Sequence, residues 1–245
     1  MLDMDARLAE QGVTLKRSAD ALQQADTLAA AVVERLRAAI NERGQARLAL
    51  SGGRSPVPFL QVLARHVLEW ERVHVTLVDE RWVPEQDPQS NAGLLRRHLA
   101  SVFERVHWLP LYLGGSPQAD AAQASEALTD WLPLDVVVLG MGADGHTASL
   151  FPGAAGLMEW LSRDCRHGCV ATQAPDGSPR LTMTGRALHS ARYRLLAISG
   201  EAKLQTLKAA IEAQQPGAWP IAAFVDAPMD IYYCPEDGRP NDVTD

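Results

Sequence analysis

The 245-residue sequence predicts an α/β fold with a mostly parallel, open sheet and helices on both faces. Two observations carry that expectation. Short apolar, β-branched runs alternate with segments of helical periodicity, and polar, glycine-bearing turns follow the strand-like runs where a helix should begin. A chain of this length with 47% hydrophobic residues can bury one sizeable core. It therefore reads as a single domain over residues 1–245, doubly wound in the Rossmann-like manner, with a polar tail after about residue 235 that is expected to fray.

Residues 18–43 are rich in Ala, Leu, Glu, Arg and Gln, and Leu28, Val32, Leu36 and Ile40 recur every four positions, the signature of an amphipathic helix that Gly44 ends. The apolar run Leu48 to Leu50 leads into a Gly-rich turn and a helical segment from Pro56 to about Val67. Val73 to Val78 reads as a strand running into Asp79, Glu80 and Arg81, and Leu134 to Leu139 as a strand running into glycines, Asp144 and His146. Tyr193 to Ile198 is a further strand, followed by Ser199, Gly200 and a helix from Glu201 to Ala213; Ile221 to Val225 and Ile231 to Cys234 are read as closing strands. The Pro- and Gly-bearing stretches at 84–88, 114–117, 152–156 and 175–179 are loops. In sheets of this kind ligands bind beyond the carboxyl ends of the strands, where these polar clusters fall.

Composition removes several classes of function. A formal charge of −7 without a Lys/Arg-rich run disfavours nucleic acid and anionic membranes as partners. No apolar run is long enough to span a bilayer, and the acidic start, Asp3 and Asp5, is unlike a signal peptide; the expectation is a cytoplasmic protein, monomeric or a small homo-oligomer. Three cysteines, Cys165, Cys169 and Cys234, make no disulfide framework. Cys165 and Cys169 flank His167, but that spacing fits no common zinc signature, and no metal is expected.

The first site signal is Ser51-Gly52-Gly53-Arg54-Ser55-Pro56. Two glycines allow a tight turn and close approach to a ligand, Ser55 suits an N-cap, and Pro56 suits the first helical position. Such a loop can hold a phosphate on free backbone N–H groups; taken alone it is equally a plain strand-to-helix turn. The second is the run from Gly140 to Gly153. Gly140, Gly142 and Gly145 satisfy the dinucleotide pattern G-x-G-x-x-G, but Pro152-Gly153 stops the long helix that pattern requires. What the run offers is Asp144 two residues before His146, a carboxylate able to orient an imidazole that takes a proton from water. Alone, it also reads as an Asp-Gly turn with a surface histidine. Arg81, Arg180 and Lys203 supply cations beyond strand ends; singly each is a solvated charge, yet Lys203 in the first turn of a helix opposes the helix dipole unless an anion lies beside it.

Together these stretches resemble the 6-phosphogluconolactonase family, within the wider group that includes glucosamine-6-phosphate deaminase and ribose-5-phosphate isomerase. The resemblance rests on Leu50 to Pro56, Val78-Asp79-Glu80-Arg81-Trp82-Val83-Pro84 with Ser90-Asn91, the Gly140 to Gly153 run, and Pro179-Arg180-Leu181-Thr182-Met183-Thr184, in family order from about residue 48 to 200. It implies hydrolysis of a phosphorylated sugar lactone, 6-phospho-D-glucono-1,5-lactone, without metal or organic cofactor. It implies His146 as the base that activates water and Asp144 as its electrostatic partner. Ser51, Gly52, Gly53, Arg54, Ser55, Arg81, Arg180 and Lys203 would hold the phosphate or steady the oxyanion.

Two rivals remain. The deaminase branch shares the Gly-rich loop and the Asp-Gly-His turn but continues into Phe-Asn-Glu, whereas this chain has Leu150-Phe151-Pro152-Gly153, and an arginine follows Asp79-Glu80. A non-catalytic sugar phosphate sensor would need no general base and would normally carry a DNA-binding helix-turn-helix, for which residues 1–45 hold a single helix without a basic recognition segment.

Overall fold

The computed structural model describes residues 4–53 and 55–235. Arg54 and the tail after residue 235, on both of which the sequence raised expectations, lie outside the described residues. Helix α1 (Met4–Glu10) and strand β1 (Val13–Arg17) precede the predicted long helix α2 (Ala21–Arg43). The side chain of Asp20 caps α2 by accepting from the Gln23 N–H, Gly44 ends it in the left-handed conformation at φ 77°, and Leu28, Val32, Leu36 and Ile40 all enter the core. Then follow β2 (Ala46–Leu50), α3 (Val57–Leu63), β3 (Val73–Leu77), β4 (Asp79–Arg81), α4 (Asn91–His98), α5 (Ala100–Phe103), β5 (His107–Leu109) and α6 (Pro117–Thr129). The second half runs β6 (Val136–Leu139), α7 (Leu157–Leu161), β7 (Cys169–Gln173), β8 (Pro179–Met183), α8 (Gly185–Ser190), β9 (Tyr193–Ser199), α9 (Glu201–Ala213) and β10 (Met229–Cys234).

Seven strands form one sheet in the order β1-β10-β9-β6-β2-β3-β5, and every neighbouring pair in it is parallel. Right-handed crossovers put the connections that lead towards β5 on one face and those that lead back towards β1 on the other. Accordingly α3 packs against both α2 and α4, while α1 packs against α9. β6 is buried along its whole length, as a central strand covered on both sides must be. The direction of winding reverses between β2 and its neighbour β6, so the loops that leave their carboxyl ends part company and open a crevice.

Four expectations need correction. The strand predicted over 73–78 does not simply run on into a loop: Val78 still donates to Leu50 O, and then Asp79–Arg81 leaves the large sheet to pair antiparallel with β8, which pairs with β7 in a second, three-stranded sheet. The helix expected from Pro56 to Val67 ends at Leu63, because the chain must turn to bring Leu68 and Trp70 into the core, leaving Val67 exposed. Ser55 is not its N-cap. Pro56 takes that position without a side-chain bond, and Pro58, the second helical residue, lacks one of the N–H groups a serine would have served. The apolar run Ile221 to Val225 is not a strand: residues Pro220–Ala223 form a 3₁₀ turn, and the buried Ile221 and Phe224 stand at helical, not alternating, spacing.

Candidate active site

Three adjacent parallel strands, β2, β6 and β9, deliver their carboxyl-terminal loops to one cleft of about 230 Å³. Ser51, Gly52, Gly53 and Ser55 line it after β2; Gly140, Gly142 and His146 after β6; Ser199 and Lys203 after β9. Asp79 and Arg81 of β4 and Asn91 at the start of α4 close it on the far side, and the first turns of α2 wall it with Gln24 and Leu28.

The loop after β6 folds on itself. Gly142 N–H donates to His146 O at 2.9 Å and Gly145 N–H to Gly142 O at 3.1 Å, which brings residues 144 and 146 side by side. Gly145 adopts φ +79° and presses on Trp219, and a Cβ on Gly142 would stand 2.2 Å from the His146 ring, so both positions demand glycine. His146 Nδ1 lies 2.5 Å from Asp144 Oδ1, and the His146 backbone N–H donates to the same oxygen at 3.2 Å. An ionised carboxylate can only accept, so Nδ1 carries a proton, and in the neutral imidazole the lone pair then falls to Nε2, which has no hydrogen-bond partner among the described residues. Burial works against the Asp144 charge, but the His146 N–H and the imidazole outweigh it and hold the carboxyl below its usual range. The imidazole leans on Phe151, with ring centroids 4.8 Å apart.

Ser51 is committed to structure. Its hydroxyl donates to Val138 O at 3.0 Å and accepts from Gly140 N–H at 3.1 Å, tying the β2 loop to the β6 loop. The backbone N–H groups of Gly52 and Gly53 have no hydrogen-bond acceptor among the described residues, and they remain the donors this loop can offer an anion. Gly52 also admits the Asn91 side chain, which a Cβ there would meet at 2.0 Å.

Arg81 lines the cleft, held by a bond from its Nη1 to Gln89 O at 2.5 Å. Arg180 is brought beside it, directly opposite in the β4–β8 register, but does not itself line the cleft. Burial and the neighbouring Arg81 charge both depress its pKa. Lys203 lines the cleft from the first turn of α9, with no hydrogen bond or ion pair among the described residues. Thus His146, Arg81 and Lys203 line one cleft, Asp144 adjoins it through its contact with the His146 ring, and Arg180 stands one strand back.

The sequence reading singled out Arg81 and passed over Asp79, which sits in the same motif. Its carboxyl accepts from the Ser149 hydroxyl at 2.6 Å and feels the charges of Arg81, His146 and Arg180, yet burial raises its pKa. Asn91 Nδ2 donates to Asp79 O at 2.9 Å. Both residues stood inside the motif stretches, so the signal was present and only the roles were not. Cys165 and Cys169 belong to the core, and burial pushes the Cys169 thiol up to about 12. Among the described residues no group of three or more His, Cys, Asp or Glu side chains is placed to hold a metal, and no helix is long and apolar enough to cross a membrane.

Residues 19–232 match a family model described as glucosamine-6-phosphate isomerases/6-phosphogluconolactonase. A 6-phosphogluconolactonase of Pseudomonas putida is 47% identical over 226 residues, covering 91% of this chain and 93% of that protein. One from Pseudomonas aeruginosa is 44% identical over 228 residues, covering 91% and 96%. A crystal structure of a 6-phosphogluconolactonase from Shewanella baltica superposes with a TM-score of 0.86 at 33% identity, covering 91% of this chain and 97% of that one.

Proposed function

This chain belongs to the glucosamine-6-phosphate isomerase/6-phosphogluconolactonase family, and from that premise we propose that it hydrolyses 6-phospho-D-glucono-1,5-lactone to 6-phospho-D-gluconate. The choice of the lactone over an amino sugar phosphate is supported by the names of the Pseudomonas relatives at 44–47% identity. The observation that carries the chemistry is the His146–Asp144 pair at the carboxyl end of β6, in one cleft with two cations and two free backbone N–H groups.

His146 Nε2 takes a proton from water as its oxygen attacks the lactone carbonyl. The developing imidazolium lies against the Asp144 carboxylate, whose lowered pKa keeps it charged to lower pH than an ordinary aspartate. The tetrahedral intermediate then expels the ring oxygen, which takes the proton back from His146, and the carboxylic acid formed ionises. No metal or organic cofactor is called for. Lys203, Arg81 and the Gly52–Gly53 amides divide between the phosphate and the oxyanion, with Arg180 reinforcing the field behind Arg81 and Arg54 supplied from the same loop. The reading implies a cytoplasmic enzyme whose partner is its small-molecule substrate, working as a monomer or small homo-oligomer without nucleic acid.

The test is the initial rate of 6-phosphogluconate formation, coupled to NADP reduction and corrected for spontaneous lactone opening, with glucosamine 6-phosphate assayed for ammonia in parallel. The expected result is acceleration of lactone opening, no ammonia, and a loss of about 10²-fold or more in kcat for His146→Ala. Ammonia release would replace the proposal with a deaminase, and a His146→Ala variant at full rate would remove His146 as the base.

A further inference from the structure

The hairpin that carries the dyad has an exposed tip. Ala143 and Asp144 are both exposed, so no core side chain sets the position of the carboxylate. Beyond the turn's own hydrogen bonds and the His146 N–H that donates to Asp144 Oδ1, two clamps from outside the turn hold the flanking carbonyls. Ile221 N–H donates to Gly145 O at 2.9 Å, and the hydroxyl of Thr206 donates to Ala143 O at 3.0 Å. The first clamp comes from the 3₁₀ turn that also packs Trp219 on Gly145. The second comes from α9, the helix that places Lys203 in the cleft.

Lys203 and Thr206 are three residues apart in α9 and so share a face. The Thr206 hydroxyl has a second acceptor within reach, Ala202 O at 3.1 Å, one turn back in its own helix. A threonine hydroxyl has one hydrogen. It can serve the helix, as mid-helix threonines commonly do, or reach across to the loop, and the loop carbonyl is the nearer of the two. Small displacements here matter, because a shift of about 1 Å in a reacting group can cost about 10²-fold in rate.

We propose that Thr206 is a positioning residue: its hydroxyl holds the Ala143 carbonyl so that Asp144 stays in line with His146 Nδ1, and by its place on α9 it links that alignment to an anion seated at Lys203. The second half rests on the phosphate-binding reading given above; the first does not.

The experiment compares Thr206→Val, which keeps shape and removes the hydroxyl, with Thr206→Ser, which keeps the hydroxyl. Steady-state kinetics on the lactone are paired with the ¹H–¹⁵N signal of the His146 Nδ1–H in the substrate-free enzyme. Thr206→Val is expected to lose about tenfold in kcat with KM within about twofold, and to broaden or lose the Nδ1–H signal; Thr206→Ser is expected to retain both. Inorganic phosphate should sharpen that signal in the wild type and in Thr206→Ser but not in Thr206→Val. A Thr206→Val enzyme with wild-type kcat and signal overturns the proposal, as does equal impairment of both variants, or a change in KM alone. An unchanged wild-type signal on adding phosphate overturns the link to Lys203. Should the wild type fail to open the lactone, the proposed function falls, and the Nδ1–H signal alone still decides the role of Thr206.

Discussion

The loop after β6 and the strand β4 both border the cleft, through His146 and through Asp79 and Arg81, and each also carries a carboxylate, Asp144 and Glu80, in opposite environments. Glu80 on β4 is 1% exposed and accepts from the backbone N–H groups of Arg81, Asn91 and Ala92 at 2.7–2.8 Å and from the Ser90 hydroxyl at 3.2 Å. It is the anchor of the α4 N-terminus. Burial nevertheless pushes its carboxyl up to about 7, against those hydrogen bonds. Asp144 has a side chain 46% exposed, a single ring partner, and a pKa that moves down. The larger perturbation belongs to the group that ties down backbone and the smaller to the proposed partner of the base. A displaced pKa therefore reports burial first; what marks the dyad is an imidazole that lines a cleft, its second nitrogen without a hydrogen-bond partner among the described residues.

The comparison can be broken at either carboxylate. Glu80→Ala strands two backbone N–H donors at the start of α4 and that of Arg81 on β4, and is expected to cost about 3 kcal/mol of stability in chemical denaturation, while the folded fraction keeps most of its turnover. A variant of native stability and abolished turnover would make Glu80 the reactive carboxylate instead. Asp144→Asn should do the reverse. It retains shape and stability but removes the charge that faces the imidazolium, lowering kcat about thirtyfold, or roughly 2 kcal/mol in activation free energy. That is less than for a fully buried partner, since water screens a half-exposed carboxylate. Equal kcat in wild type and Asp144→Asn would reduce Asp144 to a turn residue.

The same contrast explains which parts of the molecule could be read from the sequence. α2 was legible because its apolar face repeats from Leu28 to Ile40 and the helix ends at a glycine, and β6 because four apolar residues lead into a motif of unusual residue types. The residues of the dyad were legible too, two positions apart in that motif, but whether Asp144 meets His146 or points elsewhere was not, because a glycine-bearing turn can aim the two side chains apart. The second sheet was not, because β4 holds three residues continuous with β3, and only the distant Arg180 to Thr182 segment draws them out of the large sheet. Thr206 and Trp219 left no trace either. Their roles lie entirely in what they touch, more than 60 residues away in the chain.

A second group with a large pKa displacement, one that does not line the cleft, sharpens the point that burial is the first cause of such a displacement. His189, at the end of α8 and packed on Phe224 with ring centroids 4.7 Å apart, is pushed down to about 3 by burial and by the charges of Arg163 and Arg194. Both arginines are already engaged by Asp226, so a protonated His189 would meet cations with no carboxylate to spare. Between pH 6.5 and 3 the unfolded chain then binds a proton that the folded chain refuses, so this contribution to stability is present above pH 6.5 and lost as pH falls. Glu80 works in the other direction, its raised carboxyl favouring the fold below pH 4.5 and ceasing to do so as pH rises through about 7. Whole-protein curves mix the two, whereas the difference between wild type and His189→Gln isolates the histidine. That difference is expected to change by about 1 kcal/mol between pH 7.5 and 5 in urea denaturation, the size a partly solvated group allows. Parallel curves for the two proteins would mean that His189 takes up its proton in the folded state, and that burial next to two arginines does not keep it neutral.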